Sequence, residues 1–153
     1  MIKLRPIAQT LGRSRLAALP GLHAVSGADV TGSFANKGKL TWWKMFKDTN
    51  EATIDALSKL GTRGLPTADT MAAIEKLVCR LYVPNTPIKT VSELRWSLFR
   101  KKQAQSDKFP PTQAAPCEAI MRTNYQALIW SLNSVPSPDL PPPQEYSWKL
   151  DDD

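Results

Sequence analysis

A chain of 153 residues with 42% hydrophobic side chains has material for one core of ordinary size, and no apolar run reaches membrane-spanning length. A formal charge of +6 suits acidic partners, nucleic acid among them. Two widely separated cysteines and a single histidine exclude a disulfide framework and a Cys/His zinc site within the chain.

Met1 to Leu19 carries Lys3, Arg5, Arg13 and Arg15 and no acid, in the manner of a targeting peptide. It lacks the continuous apolar stretch of a secretory signal, and Gly12 and Pro20 punctuate it. The expectation is therefore a soluble intracellular protein, nuclear or cytoplasmic, with an arginine-rich transit peptide as the less favoured reading.

In chain order, residues 5–18 read as a short helix opened by Pro6, with Leu4, Ile7 and Leu11 at helical spacing. Pro20-Gly21 predicts a break, after which Leu22 to Asp29 can form a second helix. VTGSFANKGK at 30–39 is turn material, followed by a helix over 40–47 with Trp42, Trp43 and Phe46. Adjacent helical positions point about 100° apart, so one of the two tryptophans, not both, belongs in the core.

Asp48, Thr49 or Asn50 can cap the next helix, whose buried face is Ile54, Leu57 and Leu60 and which Gly61 ends. Thr67 caps the clearest helix, where Met71, Ile74, Leu77, Val78 and Leu81 repeat on one face until Pro84 and Pro87. Ser92 is the expected cap of a helix striped by Val91, Leu94 and Leu98. A last helix, about 116–132, carries Met121, Tyr125, Leu128, Ile129 and Leu132.

Eight of the thirteen prolines lie beyond residue 108, and PSPDLPPPQEYSWKLDDD reads as extended or disordered. The PPP run at 141–143 can serve an SH3- or WW-like partner or lie as a strap along the body. No segment alternates like a strand. The expected architecture is all-α: a small multi-helix domain at 1–134 with a helix–turn–helix at about 20–48, then a Pro-rich tail at 135–153.

The chemistry concentrates in LPGLHAVSGADVTGSFANKGKLT at 19–41. A Lys-Gly-Lys loop precedes a helix, and helix N-terminal amides attract phosphate. Gly38 is free to take positive φ there, and Lys37, Lys39 and Lys44 add charge at the same end. Such a helix–turn–helix grips a phosphate strand without reading bases.

This block resembles a segment of mobile-element-associated animal proteins that is similar to the flap-endonuclease branch of the PIN-like nucleases. NYQALIWSL, the Pro-rich spacer and EYSWKL resemble the tail of the same group. The likeness runs from about Arg5 to Leu150; it is specific in the 19–43 block and at the tail, and loose between. It implies that Asp29 corresponds to a metal-binding aspartate, and that Lys37, Gly38 and Lys39 correspond to the phosphate-gripping loop. Ala28, Val30 and Asn36 depart from the usual cysteine, threonine and glycine of that segment.

The resemblance also implies that most metal-binding carboxylates belong to an α/β core upstream of Met1. Two-metal hydrolysis needs several carboxylates around ions about 4 Å apart. Asp48, Glu51 and Asp55, the acids nearest Asp29 along the chain, have no motif behind them. The expectation is a non-catalytic helical fragment needing no cofactor by itself, with Mg2+ and Asp29 engaged only if such a core is supplied.

Each signal has a plainer explanation beside it. Asp29 can cap local backbone, Lys37, Lys39, Lys44 and Lys47 can form a solvated helix face, and His23 can be semi-buried. Arg95, Arg100, Lys101 and Lys102 form a second basic cluster that can simply face water or act as a nuclear import signal. The tryptophans can stack on bases, although helical spacing favours packing. Three functions stay open: DNA or RNA backbone binding, an interaction module or transposon-derived relic made to pack on a missing α/β core, and a metal-dependent nuclease completed by that core.

Overall fold

The computed structural model describes residues 4–28, 31–34, 37–101, 109–112 and 114–149. Asp29 and Lys102, both singled out in the sequence, lie outside the described residues. The chain is all-helical: α1 (Leu4–Val25), α2 (Lys39–Lys47), α3 (Glu51–Ser58), α4 (Ala68–Tyr82), α5 (Val91–Arg100), α6 (Ala114–Ser131) and a 3-10 turn, η1 (Pro143–Tyr146). No strand occurs among the described residues.

The break expected at Pro20-Gly21 falls instead at Gly12, where φ is 76° and ψ 164° and the helix kinks. No atom lies within 4 Å of a Cβ built at Gly12, so backbone conformation alone favours glycine there. Pro20 sits inside the helix and is exposed, its ring on the solvent side. The helix continues past it because the next residue lies directly against α3: a Cβ on Gly21 would overlap the carbonyl oxygen of Leu57. Packing of α1 on α3 outweighs a proline's local preference.

Three caps follow their residue types. Asn50 accepts from the Thr53 amide at 3.0 Å, and Thr67 accepts from the Thr70 amide at 3.3 Å. The cap of α5 is Thr90, which accepts from the Glu93 amide at 3.4 Å; Ser92, the expected cap, is already inside the helix. Thr90 wins because Glu93 lies three positions after it, the capping-box spacing.

The core collects Val25 from α1, Trp42 and Phe46 from α2, Ile54 and Leu57 from α3, Ile74, Leu77 and Val78 from α4, and Val91 and Leu94 from α5. Trp42 is 1% exposed while Trp43 is only half-buried, so the core takes one tryptophan of the pair. Cys79 is fully buried and unpaired, and its thiol is pushed up to about 12 by burial, with Glu75 and Glu93 adding to the effect.

Along α6 the buried face is wider than the expected stripe. Ile120, Ala127 and Leu128 are buried, but so are Thr123, Asn124 and Gln126, while Met121 and Ile129 are half-exposed. The reason is polar anchoring. Asn124 Oδ1 accepts from the Gly61 amide at 2.8 Å, and its Nδ2 donates to Thr62 O at 3.3 Å and Gly64 O at 2.9 Å. Gly61 itself has φ of 92°, and a Cβ there would lie 3.0 Å from the Ala127 backbone.

The Pro-rich segment expected as extended or disordered is held at several points. Tyr146 is 1% exposed, packs its ring 5.0 Å from that of Tyr125, and accepts a hydrogen bond from the Gly64 amide at 3.0 Å. The Tyr125 hydroxyl donates to Pro141 O at 3.1 Å, and Arg63 donates to Asp139 O at 2.7 Å. Prolines pre-set the backbone of this strap, and the buried aromatic anchors it.

Candidate nucleic-acid interface

The Lys37-Gly38-Lys39 loop links the end of α1 to the start of α2. Gly38 is the N-cap of α2 with φ of −73° and ψ of 164°, an extended conformation open to any residue. The positive φ expected at Gly38 is therefore absent, and a Cβ there would meet nothing within 4 Å. No side chain caps this end, and the first turn of α2 has no acid, unlike the first turns of α3, α4 and α5 with Glu51, Asp69 and Glu93.

Both lysines of the loop engage neighbouring groups, Lys39 while still exposed and Lys37 half-buried. Lys39 Nζ donates to Gly27 O at 2.6 Å, His23 O at 3.2 Å and Ser26 Oγ at 3.2 Å, and lies 3.1 Å from His23 Nδ1. A cation on the last carbonyls of α1 neutralises the negative end of that helix and stitches α1 to α2. His23, expected to be semi-buried, is exposed, its ring 5.2 Å from that of Trp130. Lys37 Nζ sits 4.8 Å from the centroid of the Tyr82 ring. Lys44 is exposed beside Arg80 and Asp48, around an opening of about 310 Å³.

The second basic cluster lies on α5. Arg100 and Lys101 are exposed at its end. Arg95 is partly buried, donates to Pro110 O and lies over the Phe109 ring at 5.4 Å. Between these cations the helix presents Trp96 and Phe99, 61% and 62% exposed, their rings 6.0 Å apart and 20° from parallel. The general tendency of aromatics to pack argues against both exposures, although neither residue lies on the stripe of Val91, Leu94 and Leu98. The one sequence signal was their position among Arg95, Arg100 and Lys101, outside the apolar stripe.

Two of the three acids nearest Asp29 along the chain are tied to cations: Glu51 pairs with Arg15 at 3.3 Å and Asp55 with Lys59 at 2.6 Å. Among the described residues no three of His, Cys, Asp and Glu group closely enough to hold a metal ion. The donor set of a two-metal site is thus not assembled from the described residues. No described helix is long and apolar enough to cross a membrane.

Comparison of the chain with protein-family models, with curated proteins and with solved structures finds no match.

Proposed function

We propose that this chain is a non-catalytic helical module that binds nucleic-acid backbone without reading base sequence, in the manner of the helical region of PIN/flap-type nucleases. The observation that carries this reading is the exposed end of α5, where Arg100 and Lys101 have no partner among the described residues. Lys44 on α2 is exposed in the same way, whereas the Lys39 ammonium is committed to α1. Cations held on helices, not on loose tails, suit phosphate contacts that position a strand.

The expected result of an Arg100→Glu, Lys101→Glu double substitution is an affinity loss of at least about tenfold for a DNA or RNA oligonucleotide at low salt. Both side chains are exposed, so the helical circular dichroism spectrum and the melting temperature are expected to stay as in the parent. Unchanged affinity would place the binding surface elsewhere.

The second reading, a module that packs on a missing α/β core, is favoured by one observation: Leu40 is 71% exposed at the first turn of α2. Concentration-dependent self-association relieved by Leu40→Ser, together with no oligonucleotide binding, would support it over the first.

A further inference from the structure

The two basic clusters, sixty residues apart in sequence, are joined in the fold by Phe109. Its ring is 6.5 Å from that of Phe99, and it helps line the cleft formed by Ser92, Arg95, Trp96 and Phe99. The same Phe109 borders a groove of about 310 Å³ whose other walls include Phe34, Tyr82 and Arg122. Tyr82 in turn carries Lys37 over its ring. The surface therefore runs from Arg100 and Lys101 through Trp96, Phe99 and Phe109 to Tyr82 and Lys37, a row of aromatic rings with cations at both ends and Arg95 beside Phe109.

We infer that this track is a binding channel for single-stranded nucleic acid, whose unpaired bases stack on Trp96 and Phe99 while Arg100, Lys101 and Lys37 follow the phosphates. The inference rests on the backbone-binding reading above and adds the substrate class to it. An aromatic face alone would suit many apolar partners, but aromatics flanked by cations match a ligand that carries both bases and phosphates. A duplex keeps its bases stacked inside and offers this surface only phosphates.

The charge balance agrees. Glu93 is the acid beside Trp96, Arg100 and Lys101 at one end, and its first-turn position on α5 gives it a role in capping. In the groove Arg122 is paired with Glu118 at 2.7 Å and donates to Ser147 O, so it is neutral in sum and serves as a wall. Among the described residues the cations that remain are Lys37, Arg95, Arg100 and Lys101, and they outnumber the acids lining this surface.

The test compares an oligothymidylate with a duplex of equal length at one ionic strength, using the full chain and its Trp96→Ala, Phe99→Ala double variant. Truncating two side chains more than half exposed is expected to leave the circular dichroism spectrum and melting temperature unchanged. The single strand is expected to bind the variant about tenfold to a hundredfold more weakly, with duplex affinity moving by less than about twofold.

Equal losses on both ligands would overturn the inference. So would unchanged single-strand affinity in a preparation where Arg100→Glu, Lys101→Glu still weakens binding; that outcome leaves backbone binding standing and removes the stacking channel. Failure of the parent chain to bind either ligand removes both readings. If the aromatic variant instead abolishes self-association of the parent in sedimentation, the patch is a contact between copies and the inference fails.

Discussion

Asn124→Ala is expected to lower stability by about 3 kcal/mol and the melting temperature by roughly 10 °C, a large effect for one polar side chain. Asn124 is 1% exposed, and both ends of its amide are used. Its oxygen accepts from the Gly61 amide, and its nitrogen donates to the carbonyls of Thr62 and Gly64. Alanine leaves the Gly61 N–H without a partner at a position pressed against the Ala127 backbone, where water cannot easily replace the lost oxygen.

The damage spreads. Gly64 is held from the other side by Tyr146, so a loosened 61–64 turn also releases the anchor of the C-terminal strap. Thermal melts report the stability loss, and amide exchange at residues 61–66 reports its location. Asn124→Asp separates the contributions: the acceptor for Gly61 survives and the two donors are lost. A buried carboxylate oxygen then faces the carbonyls of Thr62 and Gly64, so at neutral pH this variant's melting temperature is expected below that of the alanine variant. A melt within about 1 °C of the parent for Asn124→Ala would show that the turn does not depend on this side chain.

Gly21→Ala is expected to cost about 2–3 kcal/mol, although alanine is the better helix former by about 1 kcal/mol. The sign is decided by the neighbour. A Cβ at residue 21 overlaps the carbonyl oxygen of Leu57, a backbone atom that no rotamer change can move aside. Relief requires α1 and α3 to part, which opens the packing around Leu22, Val25, Ile54 and Leu57.

Gly32→Ala is the matched control: nothing lies within 4 Å of its Cβ position and its φ is not positive, so its melt is expected to stay within about 0.5 kcal/mol of the parent. Equal melting temperatures for the Gly21 and Gly32 variants in a denaturation series would contradict the close approach of α1 to α3.

The helices were legible where side-chain period and end chemistry agree. Ile74, Leu77, Val78 and Leu81 repeat on one face and are all buried, and Thr67 caps their helix. Periodicity failed at Pro20-Gly21, because a local helix breaker was read without the α3 carbonyl that makes Gly21 a contact residue. It also failed along α6, where an asparagine sits inside because the 61–64 turn needs its amide, and no spacing rule announces a partner sixty residues away.

The candidate site divides in the same way. Charge placed Lys37, Lys39 and Lys44 together in the sequence, yet charge alone does not say which way an ammonium points. Lys39 turns onto the carbonyl end of α1, and Lys37 turns onto Tyr82. The exposure of Trp96 and Phe99 was hidden for the converse reason: aromatic residues are usually packed, and only their neighbours Arg95, Arg100 and Lys101 hinted at a wet surface.

Whether the surface around α5 binds nucleic-acid backbone is read from the affinity for an oligonucleotide across a salt series. With three or four phosphates contacted, log affinity for a duplex is expected to fall linearly with log salt concentration with a slope of about −3. The Arg100→Glu, Lys101→Glu variant is expected to flatten that slope by about 2. A slope near zero, or no binding at about 50 mM salt, would contradict the account.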